Sequence, residues 1–169
     1  GTVIETSADL LAGVTGKENP QAVAAAYAPR HTSLAGLVPG ARTLVAERLR
    51  DPGNLGTLLR ACDATGAGAL ILVDACADPT SVEAVRASMG AYFTVPCVQA
   101  TTDDFLAWKC AHGAHLLGAA LDRRAIDYRQ AQYPVPVLLM VGNEAQGLPE
   151  PLMAAADELV IMPMRGKAD

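Results

Sequence analysis

The chain has 169 residues, the size of one domain with a short appendage and too few for two domains. A composition of 51% hydrophobic and 18% charged residues excludes a disordered chain, and with only 4% aromatics the core has to be built from Ala, Val and Leu. The net charge of −5, from 13 basic and 18 acidic residues, argues against binding driven by bulk positive charge, though it leaves room for a local basic face.

Residues 1–41 differ from the rest. Ser7 is placed to cap a short helix ended by Gly13 or Gly16, and Pro20, Pro29, Pro39 and Gly40 punctuate the remainder of the segment. This reads as a connector into a domain that begins near Arg42. Thr43–Ala46 is a short apolar strand. Asn54–Thr65 has helical spacing, with Leu55, Leu58, Leu59 and Cys62 at i, i+3, i+4 and i+7, and Gly66 and Gly68 stop it. Ala69–Val73 is a buried strand. Thr80 and Glu83 form a capping box that opens a helix running to Met89-Gly90. Tyr92–Val98 is a strand, and Thr101 with Asp104 is a second capping box whose helix runs to about His112. His115–Leu121 and Val135–Val141 are strands, Pro149–Ala156 a short helix, and Leu159–Met162 the last strand. Strands without polar alternation, alternating with helices, predict an α/β fold: a parallel sheet covered by helices on both faces.

Cys62, Cys76, Cys97 and Cys110 form no C-x-x-C pair and no zinc-finger spacing with histidine, which predicts reduced, mostly buried thiols in a cytoplasmic protein. No metal is expected. The longest apolar runs are too short to span a bilayer, and no signal peptide is visible. Gly1 is not Met, and both ends read as cut.

In such a sheet, ligands sit outside the carboxyl ends of the strands. The loop after the first strand lacks G-x-G-x-x-G and a P-loop, which disfavours a nicotinamide dehydrogenase, a class-I methyltransferase and an NTPase. It offers instead the turn Asp51-Pro-Gly-Asn54, with Asn54 as a good N-cap. Arg60 lies about 150° around the helix from the apolar stripe and points away from the core. A solvated arginine beside a structural cap is the plain alternative. The second loop is Gly142-Asn-Glu-Ala-Gln-Gly147. Gly142 allows close backbone approach, and Glu144 is either functional or a carboxylate bonded to loop amides. The third is Pro163-Met-Arg-Gly-Lys167, carrying Arg165 and Lys167.

Together these stretches resemble the SpoU-type (TrmH-like) RNA methyltransferases of the SPOUT superfamily. The resemblance is carried by Asp51-Pro-Gly-Asn-Leu-Gly-Thr-Leu-Leu-Arg-Ala-Cys-Asp-Ala-Thr-Gly66, Val141-Gly-Asn-Glu-Ala-Gln-Gly-Leu148 and Ile161-Met-Pro-Met-Arg-Gly166, with Val85–Phe93 between. It covers residues 42–169 in order, and residues 1–41 look like the connector that follows an N-terminal substrate-binding region. The resemblance implies a C-terminal trefoil knot, S-adenosylmethionine as cofactor without a metal, 2′-O-methylation of an RNA ribose, and a homodimer. Ribosomal RNA is favoured over transfer RNA. An inactive RNA-binding module that keeps the fold is the alternative. Carried over by position, Asn54, Arg60 and Glu144 are the catalytic set. Gly142 and Met162, with Gly118, Ala119, Ile161 and Met164, are cofactor-contacting positions. The family's third motif continues with Ser-Leu-Asn-Val-Ser, and this sequence stops at Asp169, so the resemblance implies a knot and a cofactor pocket left unfinished here. An arginine side chain stays protonated in proteins, so a phosphate clamp that stabilises alkoxide charge suits Arg60 better than a proton acceptor.

Overall fold

The computed structural model describes residues 1–29 and 32–164. Seven strands form one parallel sheet: β1 (Arg42–Glu47), β2 (Leu70–Val73), β3 (Cys97–Ala100), β4 (His115–Ala119), β5 (Ile126–Asp127), β6 (Val137–Val141) and β7 (Glu158–Ile161), in the order β3-β2-β1-β6-β4-β7-β5. Every described pairing is parallel. The most apolar run of the sequence, β6, lies at the centre between β1 and β4, with Leu139 level with Leu44 on one side and Leu117 on the other.

The helices divide between the two faces. α4 (Thr102–Ala111) and α5 (Glu150–Ala155) put Phe105, Trp108 and Leu152 on Val45, Ile71, Val98, Leu116, Leu138 and Met140. α2 (Pro52–Thr65) and α3 (Val82–Ala87) put Leu55, Leu59, Cys62 and Ala84 on Ala46, Leu70 and Leu72. That second cover has a gap. Leu139, on the central strand, is 39% exposed.

α2 packs on α3 through Gly56. A Cβ on Gly56 would stand 2.4 Å from the Ala87 Cβ and 2.7 Å from the Ala84 carbonyl oxygen. Gly56→Ala is therefore expected to push α3 off α2 and to cost about 1–3 kcal/mol, the usual range for overpacking. A denaturant midpoint unchanged from wild type would show that the two helices can separate freely.

Several predicted elements shift. α2 starts at Pro52, not Asn54, because Asp51 is the N-cap: its carboxylate accepts the Asn54 N–H at 2.6 Å. Pro52 has no N–H to satisfy and a φ suited to the first helical position, so the helix begins two residues earlier. In α3 the cap is Ser81, which accepts from the Ala84 N–H, while Thr80 bonds Asp78. The expected strand Tyr92–Val98 is a 3-10 turn at Ala91–Phe93 followed by β3. The buried Ser88 hydroxyl accepts the Tyr92 N–H and ties that turn to the end of α3. β5, two residues long, has no periodicity to reveal it.

Before β1, α1 (Ala8–Thr15) runs from the Ser7 cap to Gly16 and buries no residue. The connector touches the domain at Tyr27, whose ring centroid lies 4.9 Å from that of Phe93, and is buried near its end. Leu37 is buried, and its carbonyl accepts from the Trp108 indole N–H at 3.0 Å. Cys62 is buried, Cys76 and Cys97 are half-buried, and Cys110 is exposed. Burial pushes the Cys62 thiol up to about 11 and Cys97 to about 12. Among the described residues no helix is long and apolar enough to cross a membrane. Arg165 and Lys167, and the segment from Arg165 onward expected in the knot, lie outside the described residues.

Candidate functional site

The carboxyl ends of β1, β6, β4 and β7 lie side by side, since Ala46 pairs with Val141, Val141 with Ala119, and Ala119 with Val160. This register collects the loops that the sequence singles out on one edge of the sheet. Strand order reverses here: from β1 the chain moves outward to β2 on one side, and from β6 it moves to β7 on the other, beyond β4. Such a switch point is where open parallel sheets bind ligands.

The two central loops are bonded to each other. Asn54 Nδ2 donates to Glu144 Oε1 at 3.2 Å. Because Asp51 takes the capping role, the Asn54 amide is free to make this contact. Asn143 Nδ2 donates to the Arg48 carbonyl at 2.9 Å, and Asn143 Oδ1 accepts the Ala145 and Gln146 N–H groups at 3.0 and 3.1 Å. Asn143 thus folds its own loop and ties it to the one after β1. Gly142 makes the turn possible: a Cβ there would lie 2.3 Å from the Gly147 carbonyl carbon and 2.4 Å from the Leu148 nitrogen. Asn143 and Gly147 close the loop as an isolated bridge.

Glu144 is exposed, and its own N–H, opposed by partial burial, holds its carboxyl below the usual range. The Asn54 amide and the N–H groups of Arg50 and Asp51 pull the same way. A carboxyl lowered on folding contributes stability above the unfolded value of about 4.3, lost as pH falls through the folded value. The bridge between the loops is therefore expected to persist through neutral pH and to open in acid. Carbon-13 titration of the Glu144 carboxyl, with Asn54 side-chain shifts followed alongside, checks this. A midpoint at or above the ordinary glutamate value would refute the bridge.

Arg60 is exposed on α2 and makes no hydrogen bond or ion pair among the described residues. The structure joins Asn54 to Glu144 and does not join Arg60 to either. Among the expected cofactor positions, Ala119 and Ile161 end β4 and β7 half-buried. Met162 and Met164 are 69% and 68% exposed just beyond β7. Gly118 is buried, and the space of its missing Cβ is bounded by Leu159 and Leu148 side chains at 2.9 and 3.1 Å, so core packing alone accounts for glycine there.

Sequence reasoning misses three residues of this edge. Asp51 is the cap. Asn143 ties the loops together and was legible as the neighbour of Glu144. Leu121, beyond β4, is 92% exposed and carries no signal in the sequence. A recess of about 290 Å³ lined by Lys109, His115, Val135 and Asp157 lies at the opposite edge, where β4 and β6 begin. It shares no residue with these loops.

A parallel sheet with polar loops joined at its switch point is an α/β protein of the kind whose ligands sit at that edge. Residues 41–169 match the model of the SpoU rRNA Methylase family, and the chain belongs to that family. An AdoMet-bound rRNA methyltransferase from Sinorhizobium meliloti is similar in structure, with a TM-score of 0.92 and 39% identity over 96% of this chain and 63% of that one. The SpoU methyltransferase AviRb from Streptomyces viridochromogenes, in complex with AdoMet, gives a TM-score of 0.70 at 29% identity over 75% of this chain and 52% of that one. The 23S rRNA (guanosine(2553)-2′-O)-methyltransferase RlmP of Bacillus subtilis is 31% identical over 163 residues, 96% of this chain and 64% of that protein. The chain spans less than two thirds of the length of each of these relatives.

Proposed function

We propose that the chain is the methyl-transferring part of an S-adenosylmethionine-dependent RNA 2′-O-ribose methyltransferase acting on ribosomal RNA. The carrying observation is the Asn54–Glu144 bond, made across 90 residues of sequence at the carboxyl edge of the sheet, with Arg60, which has no partner among the described residues, on the same helix as Asn54. The rRNA activities named for RlmP and the Sinorhizobium meliloti protein support ribosomal over transfer RNA.

The residues present fit the cofactor. Leu121, Met162 and Met164 hold apolar side chains in the open at the ends of β4 and β7, where a purine ring would cover them. Ala119, Gly142 and Ile161 line the strand ends between, with Gly118 beneath. When bound, S-adenosylmethionine supplies a methyl group on a positively charged sulfur. Arg60 clamps the phosphate next to the target ribose and stabilises the alkoxide charge that develops on its 2′-oxygen. Asn54 and Glu144 set the loops around it. A protonated guanidinium is no base, and a carboxylate held anionic by its donors is a weak one, so the hydroxyl proton leaves to a phosphate oxygen or water.

Residues 42–169 form the catalytic domain and residues 1–41 the connector, anchored at Leu37. The active form is a homodimer in the cytoplasm. The open Leu139 on the central strand supplies apolar surface that a second copy would cover.

Incubating the purified full-length protein with deproteinised ribosomal RNA and tritiated S-adenosylmethionine tests the activity, and calorimetric titration with S-adenosylhomocysteine tests the cofactor. Tritium in 2′-O-methyl nucleosides, with saturable binding, is expected. Binding without transfer would favour the inactive RNA-binding module. Absence of both would overturn the proposal.

A further inference from the structure

We propose that Glu47 is a positioning residue of this site: from beneath the loop after β1 it holds Arg48 in a left-handed conformation, which presents the Arg48 carbonyl to Asn143. The inference rests on the reading of the Asn54–Glu144 edge as the methyl-transfer centre.

Two locally unfavourable features stand side by side at the end of β1. Glu47 is 1% exposed in a strand whose neighbouring inward residue, Val45, belongs to the apolar core. Its Oε2 is buried with no hydrogen-bond partner among the described residues. A carboxylate in such a place is costly without compensation. Arg48 has φ +46°, a conformation that side chains other than glycine rarely adopt. Such departures persist where something over-determines them, and they cluster at functional sites.

Each feature explains the other. The Glu47 Oε1 accepts from the Arg48 Nε. In an extended strand, consecutive side chains point to opposite faces and do not meet. The positive φ at Arg48 breaks the alternation and turns its guanidinium back onto Glu47. The Arg48 N–H still pairs with the Val73 carbonyl at 3.0 Å, so the ladder to β2 survives. The Arg48 carbonyl bonds across to Asn143 Nδ2 at 2.9 Å, and Asn143 carries the fold of the loop that presents Glu144. The chain of contacts therefore runs from Glu47 through Arg48 and Asn143 to the Glu144–Asn54 pair.

The test uses Glu47→Leu, Glu47→Gln and the double variant Glu47→Leu/Arg48→Gly. It has two readouts: kcat and KM in the methylation assay, and hydrogen exchange at the Ala145 and Gln146 amides, which donate to Asn143. Displacing a loop next to the chemistry is expected to lower kcat of Glu47→Leu by about 100-fold with little change in KM for S-adenosylmethionine. Exchange at Ala145 and Gln146 should rise with it. Glu47→Gln keeps an acceptor for the Arg48 Nε and should restore both readouts. Glycine takes the positive φ unaided, so the double variant should recover most of the loss. If Arg48→Gly gives no recovery in the Glu47→Leu background, or if exchange at Ala145 and Gln146 does not change, the proposal is wrong. Should Glu47→Leu not fold, Arg48→Met and Arg48→Gly decide, since both lose the guanidinium but only glycine keeps the turn. Faster exchange in Arg48→Met than in Arg48→Gly supports the proposal, and equal exchange overturns it. Wild type inactive on RNA would defeat the proposed function, while the exchange readout would still judge the Glu47 contact.

Discussion

Arg60→Ala is expected to abolish methyl transfer and leave the fold intact. The side chain is exposed on α2 and touches no partner among the described residues, so its removal should change stability by no more than about 0.5 kcal/mol, the usual range for a surface substitution. Its functional effect should be much larger. Removing a preorganised donor that stabilises developing negative charge typically costs about 100- to 1,000-fold in kcat. Arg60→Lys should remain poor, because an ammonium is a point charge and cannot reproduce the planar two-pronged contact of a guanidinium with phosphate. Tritium transfer to ribosomal RNA measures the first effect and denaturant melts the second. Near-normal kcat in Arg60→Lys would show that charge alone suffices and that the clamp is wrong. A stability loss beyond about 1 kcal/mol in Arg60→Ala would show a structural role instead, since surface substitutions free of special features stay within about half of that.

The architecture was largely legible because each layer has its own signal. Runs such as Ala69–Val73 and Val135–Val141 lack polar alternation, as the strands of a sheet covered on both faces do, although in the second run Val135 lies before β6 and Leu139 is left partly open. The capping hydroxyls Ser7 and Thr101 marked helix starts, and both accept the expected N–H groups. Failures came where two chemically similar groups compete for one role. Asp51 won the cap from Asn54, and Ser81 won it from Thr80, because helix starts hang on one or two residues of turn geometry. The site was legible as a set of loops and not as a set of contacts. Sequence placed Asn54 and Glu144 on loops at the same sheet edge, yet which atom meets which depends on a strand order that spacing does not encode. Arg48 was invisible, since nothing in a sequence marks an arginine with a positive φ.

Gly142→Ala is expected to disrupt the site more than any polar substitution in its loop. The Cβ that alanine adds would stand 2.3 Å from the Gly147 carbonyl carbon, 2.4 Å from the Leu148 nitrogen and 2.5 Å from the Gly147 oxygen. These are backbone atoms and cannot swing aside as a side-chain tip can. The loop must open, which breaks the Asn143–Gly147 closure and carries Asn143 away from the Arg48 carbonyl. Asn143 Oδ1 then loses the Ala145 and Gln146 N–H groups, and Glu144 loses its position beside Asn54. The stability cost should reach about 1–3 kcal/mol, as overpacking of a tight interior contact does. The loss of methyl transfer should be about 100-fold or more, because small displacements at a reacting centre are enough for that. Gly118→Ala is the control. Its added methyl meets the Leu159 and Leu148 side chains at 2.9 and 3.1 Å, both able to turn, so it should cost stability with a smaller effect on the loop. Denaturant melts, S-adenosylhomocysteine titration and NMR of the Asn54 side-chain amide compare the two variants. Wild-type binding and an unchanged Asn54 signal in Gly142→Ala would mean that the close backbone approach at Gly142 does not hold the loops together.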